Sequence, residues 1–174
     1  VREGSALDQD AIDRGNSTYF ADRVVPMLPE ALSNDLCSLR PHEPRATIAA
    51  HLWIDQNGNL KKYKFVRGIM RSVARLTYEQ AQAARDGNPD ATTKPLLGNV
   101  IAPLYEAFKV LDKARAERGA LELDLPERKA KIDDKGNILE IKPRARLDSH
   151  RMIEEFMILA NVAAATALED KHAP

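Results

Sequence analysis

A single cysteine, Cys37, is present among 174 residues. It excludes a disulfide framework, a cysteine zinc site and a dithiol redox pair, and it fits a reducing compartment, so the expected location is cytoplasmic. An excess of either charge is missing too: 26 Lys+Arg balance 26 Asp+Glu, the net charge is zero and the pI is near 7.1. That removes the global basic field of a nonspecific nucleic-acid binder and leaves open only a local basic track. No stretch approaches the roughly 18 apolar residues of a membrane span, and Val1-Arg2-Glu3-Gly4 lacks the apolar segment of a signal peptide. A soluble chain with no membrane partner is expected. Aromatic residues make up only 5% of the chain. No phosphate-cradling glycine loop and no nucleophile elbow is found. His42, His51, His150 and His172 have no metal-ligand spacing. No metal ligands and no small-molecule cofactor are therefore expected within the chain, which lacks a self-sufficient catalytic constellation.

What is present fits one globular domain with a real core: 44% of residues are hydrophobic in 19.4 kDa. The first residue is Val1, not methionine, and the expectation is a piece of something longer.

Ser5, with Asp8 at the reciprocal position and Gly15 as a stop, marks a helix over Ala6 to Arg14. From Asn16 to Arg45, four prolines block long elements while Val24, Val25, Met27, Leu28, Leu32, Leu36 and Leu39 are too many for a solvated linker; a packed, irregular arm is expected. Ala46 to Asp55 and Leu60 to Met70 read as strands. Asn57-Gly58 between them signals a tight primed turn. On the second strand Lys62, Lys64 and Val66 share one face, and Tyr63, Phe65 and Arg67 the other. Thr77 and Gln80 form a capping box for a helix over Tyr78 to Ala84. From Leu97 an apolar stripe through Ile101, Leu104, Tyr105, Phe108 and Leu111 runs to Gly119, with Pro103 as a kink or the true start. Ala120 to Asp124 and Lys129 to Ile132 are short strand candidates, and the turn Asp133 to Asn137 leads into Ile138 to Ile141. A last helix, His150 to Leu168 with Asp148 or Ser149 as cap, is apolar almost all round and should be buried. The fold class is α+β, with mixed helices and antiparallel hairpins.

Glu154 and Asn161 lie seven residues apart on this last helix, hence on one face, in an apolar setting. A carboxylate there must be paired or hydrogen-bonded, because burying it alone costs on the order of several kcal/mol. A structural helix-to-helix bond and a site residue are both open. Tyr19, in Ser17-Thr18-Tyr19-Phe20, sits in a loop rich in hydroxyls where an aromatic face could stack on a base or plug the core. Tyr78 has the same two readings. Asp8, Asp10 and Asp13 splay around a helix, and Asp133-Asp134 is a turn, so neither group converges as a hard cation needs. Lys61, Lys62, Lys64, Arg67, Arg71, Arg75, Arg144 and Arg146 could form a phosphate track or a plain solvated face.

Whole strings go further. Gly4-Ser5-Ala6-Leu7-Asp8, Arg14-Gly15-Asn16-Ser17-Thr18-Tyr19-Phe20 and Val25-Pro26-Met27-Leu28-Pro29-Glu30 are followed by Leu32-Ser33-Asn34-Asp35-Leu36-Cys37-Ser38-Leu39. Then come Ala74-Arg75-Leu76-Thr77-Tyr78, Lys109-Val110-Leu111-Asp112-Lys113-Ala114-Arg115 and Ile153-Glu154-Glu155-Phe156-Met157-Ile158-Leu159-Ala160-Asn161. Together they resemble the RNB catalytic domain of the RNase II and RNase R exoribonucleases, with the RNase R branch the better likeness.

The resemblance implies a parent that hydrolyses single-stranded RNA processively from the 3′ end to nucleoside 5′-monophosphates, with Mg2+ held by an aspartate cluster. It places that cluster upstream of this chain and an arginine-containing catalytic segment downstream, so residues 1–174 would be an internal, inactive fragment of one catalytic domain. Tyr19 matches a tyrosine that contacts the 3′-terminal nucleotide, Tyr78 a second aromatic in the RNA channel, and Glu154 a glutamate near the terminal nucleotide. Tyr19 and Glu154 are thus the implied catalytic residues, and all three contact RNA. Where the family can place a stacking phenylalanine, this chain has Leu121 or Leu123. The rival reading is a non-catalytic RNA-binding or scaffold protein with a degenerate RNB fold.

Overall fold

The structure is a computed structural model that describes residues 1–121, 128–133, 137–143 and 145–173. Its centre is a helical core. Helix α2 (Tyr78–Arg85), helix α3 (Ala102–Glu117) and helix α4 (Asp148–Glu169) bury Ala84, Ile101, Tyr105, Phe108 and Met152 against one another. Leu76, Leu96, Leu97, Ile153 and Phe156 close the rim of this cluster. Burying a side chain of the Ile, Phe or Met class contributes roughly 1.5–3 kcal/mol, so these few residues carry much of the packing energy.

Local chemistry sets the helix ends. Helix α1 (Ala6–Arg14) starts where the Ser5 hydroxyl accepts the Asp8 N–H, and stops at Gly15, whose φ is +69°. The Asp8 carboxylate reaches the N–H of Gly4, not that of Ser5, at 2.9 Å. At α2 the capping box is complete: Gln80 N–H donates to Thr77 Oγ1 at 3.2 Å, and Thr77 N–H to Gln80 Oε1 at 2.9 Å. Pro103 is the second residue of α3 and marks its true start, where a missing N–H costs nothing. The apolar stripe before it, Leu97–Ile101, winds as a wider π-type turn.

Helix α4 departs from expectation. Leu147, in extended conformation, precedes its first turn in place of Asp148 or Ser149, and Ser149, Met152, Glu155 and Ala163 are its buried residues. Met157, Ile158 and Val162 are exposed, because α2 and α3 cover one stripe of a helix that is apolar on most sides.

The described residues also form three antiparallel ribbons. Strand β1 (Thr18–Tyr19) pairs with β2 (Val24–Val25), so the proline-rich arm contains a small hairpin and, further on, a π-type turn over Ala31–Leu36. The arm is not packed as expected; Val24, Leu36 and Leu39 are exposed. Strands β3 (Pro44–Ile54) and β4 (Leu60–Arg71) form a long ribbon, and β5 (Arg128–Ile132) pairs with β6 (Ile138–Pro143). Ala120 and Leu121 are not in a strand, and the rest of that expected strand, 122–124, lies outside the described residues.

An isolated two-stranded ribbon is marginal in water, and β3–β4 is held by the helices at two points. Its tip lies on α3: a Cβ at Gly58 would stand 2.7 Å from Ala114 Cβ. At the far end of α4, the Tyr63 hydroxyl donates to Asp170 at 3.0 Å. The tip is not the two-residue primed turn expected from Asn57-Gly58. Only Gly58 has positive φ there, and Asp55 and Asn59 close a longer loop in which Asp55 N–H donates to Asn59 O at 3.0 Å. The Asp55 carboxylate selects it by accepting the Asn57 and Asn59 N–H groups at 2.9 and 3.0 Å and the Asn59 side-chain amide at 3.1 Å. Asp133 holds Asn137 in the same way, at 2.8 and 3.0 Å, so both hairpins use an aspartate to capture the asparagine four residues on.

Candidate functional site

The site residues assemble where α2 begins beside the first turns of α4. Tyr78 is the first residue of α2, and its ring stacks on His150, the third residue of α4, with centroids 4.2 Å apart and planes at 25°. Tyr78 keeps 38% exposure, so part of its ring remains open. Four residues after His150, one turn of helix, stands Glu154.

Glu154 is half-exposed and accepts from Arg146 at 2.7 Å. The buried carboxylate of the pair is its neighbour Glu155, whose side chain is 5% exposed and accepts from Arg115 on α3 at 2.6 Å. The expectation of an apolar setting for Glu154 and Asn161 is therefore corrected: Asn161 is exposed, and the structural helix-to-helix bond belongs to Glu155. Successive helical residues point about 100° apart, so only the position of α3 decides which glutamate is buried.

Tyr19 lies on β1, 77% exposed, and none of its described hydrogen bonds or ring contacts involves α2 or α4. The structure thus brings Tyr78 and Glu154 to neighbouring turns and leaves Tyr19 on a separate ribbon. Phe20 beside it is covered by Arg23, 5.0 Å from the ring centre. Leu121 is 78% exposed, and Leu123 lies outside the described residues.

Behind the Tyr78 ring runs a groove of about 310 Å³ lined by Leu76, Val100, Leu104, Tyr105 and Ser149 among others. Its floor is polar. Gln82 Oε1 accepts both the Ser149 N–H at 3.2 Å and the Tyr105 hydroxyl at 3.3 Å. Burial pushes the Tyr105 hydroxyl above its ordinary pKa of 10.0.

The basic residues do not form one line. Lys62 and Lys64 stand on one face of the long ribbon with His51 and Trp53, Lys62 Nζ lying 5.0 Å from the Trp53 ring centre. Arg67 lies on the opposite face with Tyr63 and Phe65. Arg71 donates to His42 O at 3.1 Å, Arg146 is paired with Glu154, and Arg144 lies outside the described residues.

A charged chain runs across the helices. Asp112 on α3 binds Arg151 on α4, Arg151 reaches Asp148 at 3.4 Å, and Asp148 binds Arg85 on α2 at 2.7 Å. The Asp148–Arg151 link has helical spacing within α4, but the other two links cross between helices, so no single segment reveals the whole chain.

Among the described residues no three His, Cys, Asp or Glu side chains come together as a metal would require. Asp10 is paired with Arg14 at 2.9 Å, and Asp13 accepts from Gln9 at 3.2 Å. These residues do not fit a magnesium ion. No described helix is long and apolar enough to cross a membrane.

These elements define an α+β domain: a helical core that carries antiparallel ribbons and shows an aromatic and a carboxylate at one edge. The RNB domain family model matches all of residues 1–174, and the chain belongs to that family. It is 43% identical over 176 residues to ribonuclease R of Vibrio parahaemolyticus, an alignment covering 100% of this chain and 21% of that protein. The chain thus spans about a fifth of the length of the curated relatives it matches. Mycoplasma genitalium RNase R, solved in complex with ribose-methylated single-stranded RNA, superposes with a TM-score of 0.89 at 28% identity, over 99% of this chain and 27% of that one. Yeast Ssd1, described as a pseudonuclease, shares the fold alone, with a TM-score of 0.70 at 19% identity over 98% of this chain and 20% of that one.

Proposed function

We propose that this chain is the RNA-holding part of the catalytic domain of an RNase R-type exoribonuclease, which hydrolyses single-stranded RNA processively from the 3′ end to nucleoside 5′-monophosphates. The reading rests on family membership along the whole chain, together with the half-open Tyr78 and Glu154 on neighbouring turns. An aromatic face stacks on any base, which suits an enzyme that must accept every sequence. A carboxylate accepts hydroxyl donors of the terminal ribose, and only RNA supplies the 2′-hydroxyl among them. Tyr19, exposed on its own ribbon, is free to meet the terminal nucleotide from another side.

The proposed enzyme uses magnesium, whose chemistry is to activate the attacking water and stabilise the leaving oxygen. Its ligands are assigned to parts of the relatives' length that this chain does not span, so the chain by itself is inactive. The single cysteine agrees with action in the cytoplasm.

The test compares this chain with the complete domain on 5′-labelled single-stranded RNA in magnesium. The expected result is a stepwise ladder from the complete domain alone. Activity of the chain by itself would refute the assignment of the metal ligands. The fold shared with a pseudonuclease favours a second reading, an RNA-binding or scaffold protein, and binding without shortening by both forms would establish it.

A further inference from the structure

We propose that His150 is the positioning residue for Tyr78, holding its ring at a fixed angle for a nucleobase; the inference rests on Tyr78 lying in the RNA path. A hydrogen bond and a ring stack meet on the His150 imidazole. Its Nδ1 accepts the N–H of Leu147 at 3.1 Å, one of the donors that every helix start leaves without a backbone partner. An imidazole nitrogen accepts through a lone pair in the ring plane, so this bond orients the plane relative to the axis of α4. Its face then supports Tyr78, at 4.2 Å and 25°.

The other end of the arrangement is rigid as well. The reciprocal bonds between Thr77 and Gln80 fix the backbone immediately before Tyr78, so the remaining freedom of this residue is the rotation of its ring. Stacking on His150 removes that freedom and occupies one face. Tyr78 remains 38% exposed, and a base would stack on the face that His150 leaves uncovered. A ring already held loses less entropy on binding than one that must be ordered. Loss of the support should therefore weaken RNA binding about threefold to tenfold, the cost of immobilising roughly one side chain.

Two variants separate the face of the ring from its edge. His150→Asn keeps an acceptor for Leu147 and removes the stack; His150→Phe keeps a ring and removes the acceptor. Affinity is measured on the full-length protein, with fluorescent single-stranded oligouridylate in EDTA so that nothing is cleaved, alongside thermal melting. His150→Asn is expected to bind about threefold to tenfold more weakly and melt near wild type, whereas His150→Phe binds near wild type and melts lower. Tyr78→Ala is the reference, and adding His150→Asn to it should weaken binding no further. If His150→Asn binds as wild type while Tyr78→Ala is weakened, the positioning role is overturned and the RNA path stands. If His150→Phe binds as weakly as Tyr78→Ala, the cap and not the stack matters, and the proposal fails. If Tyr78→Ala binds as wild type, Tyr78 is not in the RNA path and both readings fall.

Discussion

Arg115 on α3 donates to Glu155 on α4 at 2.6 Å, and the carboxylate it reaches is almost wholly enclosed. A buried charge tolerates its surroundings only while its partner is present. Removing one member of such a pair typically costs about 3–5 kcal/mol, whereas replacing both by apolar groups of similar size can be neutral. Arg115→Met should therefore destabilise the chain by about that amount, and Arg115→Met with Glu155→Leu should recover most of it. Urea denaturation of the two variants decides the point. Equal losses in both would mean that the contact contributes packing and little else.

How far the sequence disclosed this molecule depends on the range of the forces involved. The start of α2 is written in two residues, Thr77 and Gln80, and the end of α1 in Gly15, because caps are satisfied within one turn. The faces of β4 follow from period two alone. The exchange of roles between Glu154 and Glu155 was not readable: α4 is apolar on most sides, so its own pattern does not say which stripe α3 will cover. Asn57-Gly58 marks the hairpin but not its turn type, since the dipeptide favours a primed turn while Asp55 offers a competing set of hydrogen bonds. Tyr78 and Glu154 could be nominated from their strings, but the stacked His150 behind Tyr78 required the packing of α2 on α4.

Gly58 combines two demands that no other residue meets. Its φ is +78°, and an added Cβ would stand 2.7 Å from Ala114 Cβ and 3.1 Å from the carbonyl oxygen of Val110. Gly58→Ala should cost about 1–3 kcal/mol, from left-handed strain and from pushing the ribbon tip off α3. Ala114→Gly would relieve only the contact with the Ala114 Cβ, leaving the strain and the approach to Val110, and would itself cost about 1 kcal/mol inside α3. A denaturation midpoint for Gly58→Ala equal to wild type would show that the tip does not rest on α3.

Asp55 gives the ribbon a dependence on acid. The backbone N–H of Asn59 first, then its side-chain amide, with Asn57 and Lys61 adding to them, holds the Asp55 carboxyl at about 2, below its ordinary 3.8. A lowered pKa in the folded state means that the ionised carboxyl stabilises the fold above the ordinary value, and that this contribution disappears as the pH falls through the lowered one. Asp55→Asn abolishes the titration. Melting temperatures of wild type and variant should therefore differ most at neutral pH and converge between about pH 4 and pH 2. A gap that stays constant over that range would show that the carboxylate is not ionised in these bonds.

Tyr19 offers the sharpest separation of stability from function. It is 77% exposed, and the ribbon that carries it is held by backbone pairing of Thr18 with Val25 and of Tyr19 with Val24, which a change of side chain leaves in place. Surface substitutions of this kind usually shift stability by no more than about 0.5 kcal/mol. Tyr19→Ala in the full-length protein should accordingly melt with wild type while altering how the last nucleotides are held, so that the smallest product on 5′-labelled RNA changes in length. Because the role proposed for Tyr19 lies at the terminal nucleotide, the early shortening of long substrates should change less than the final product does. An unchanged ladder would remove Tyr19 from the terminal-nucleotide site and leave its exposure on β1 without a functional reason.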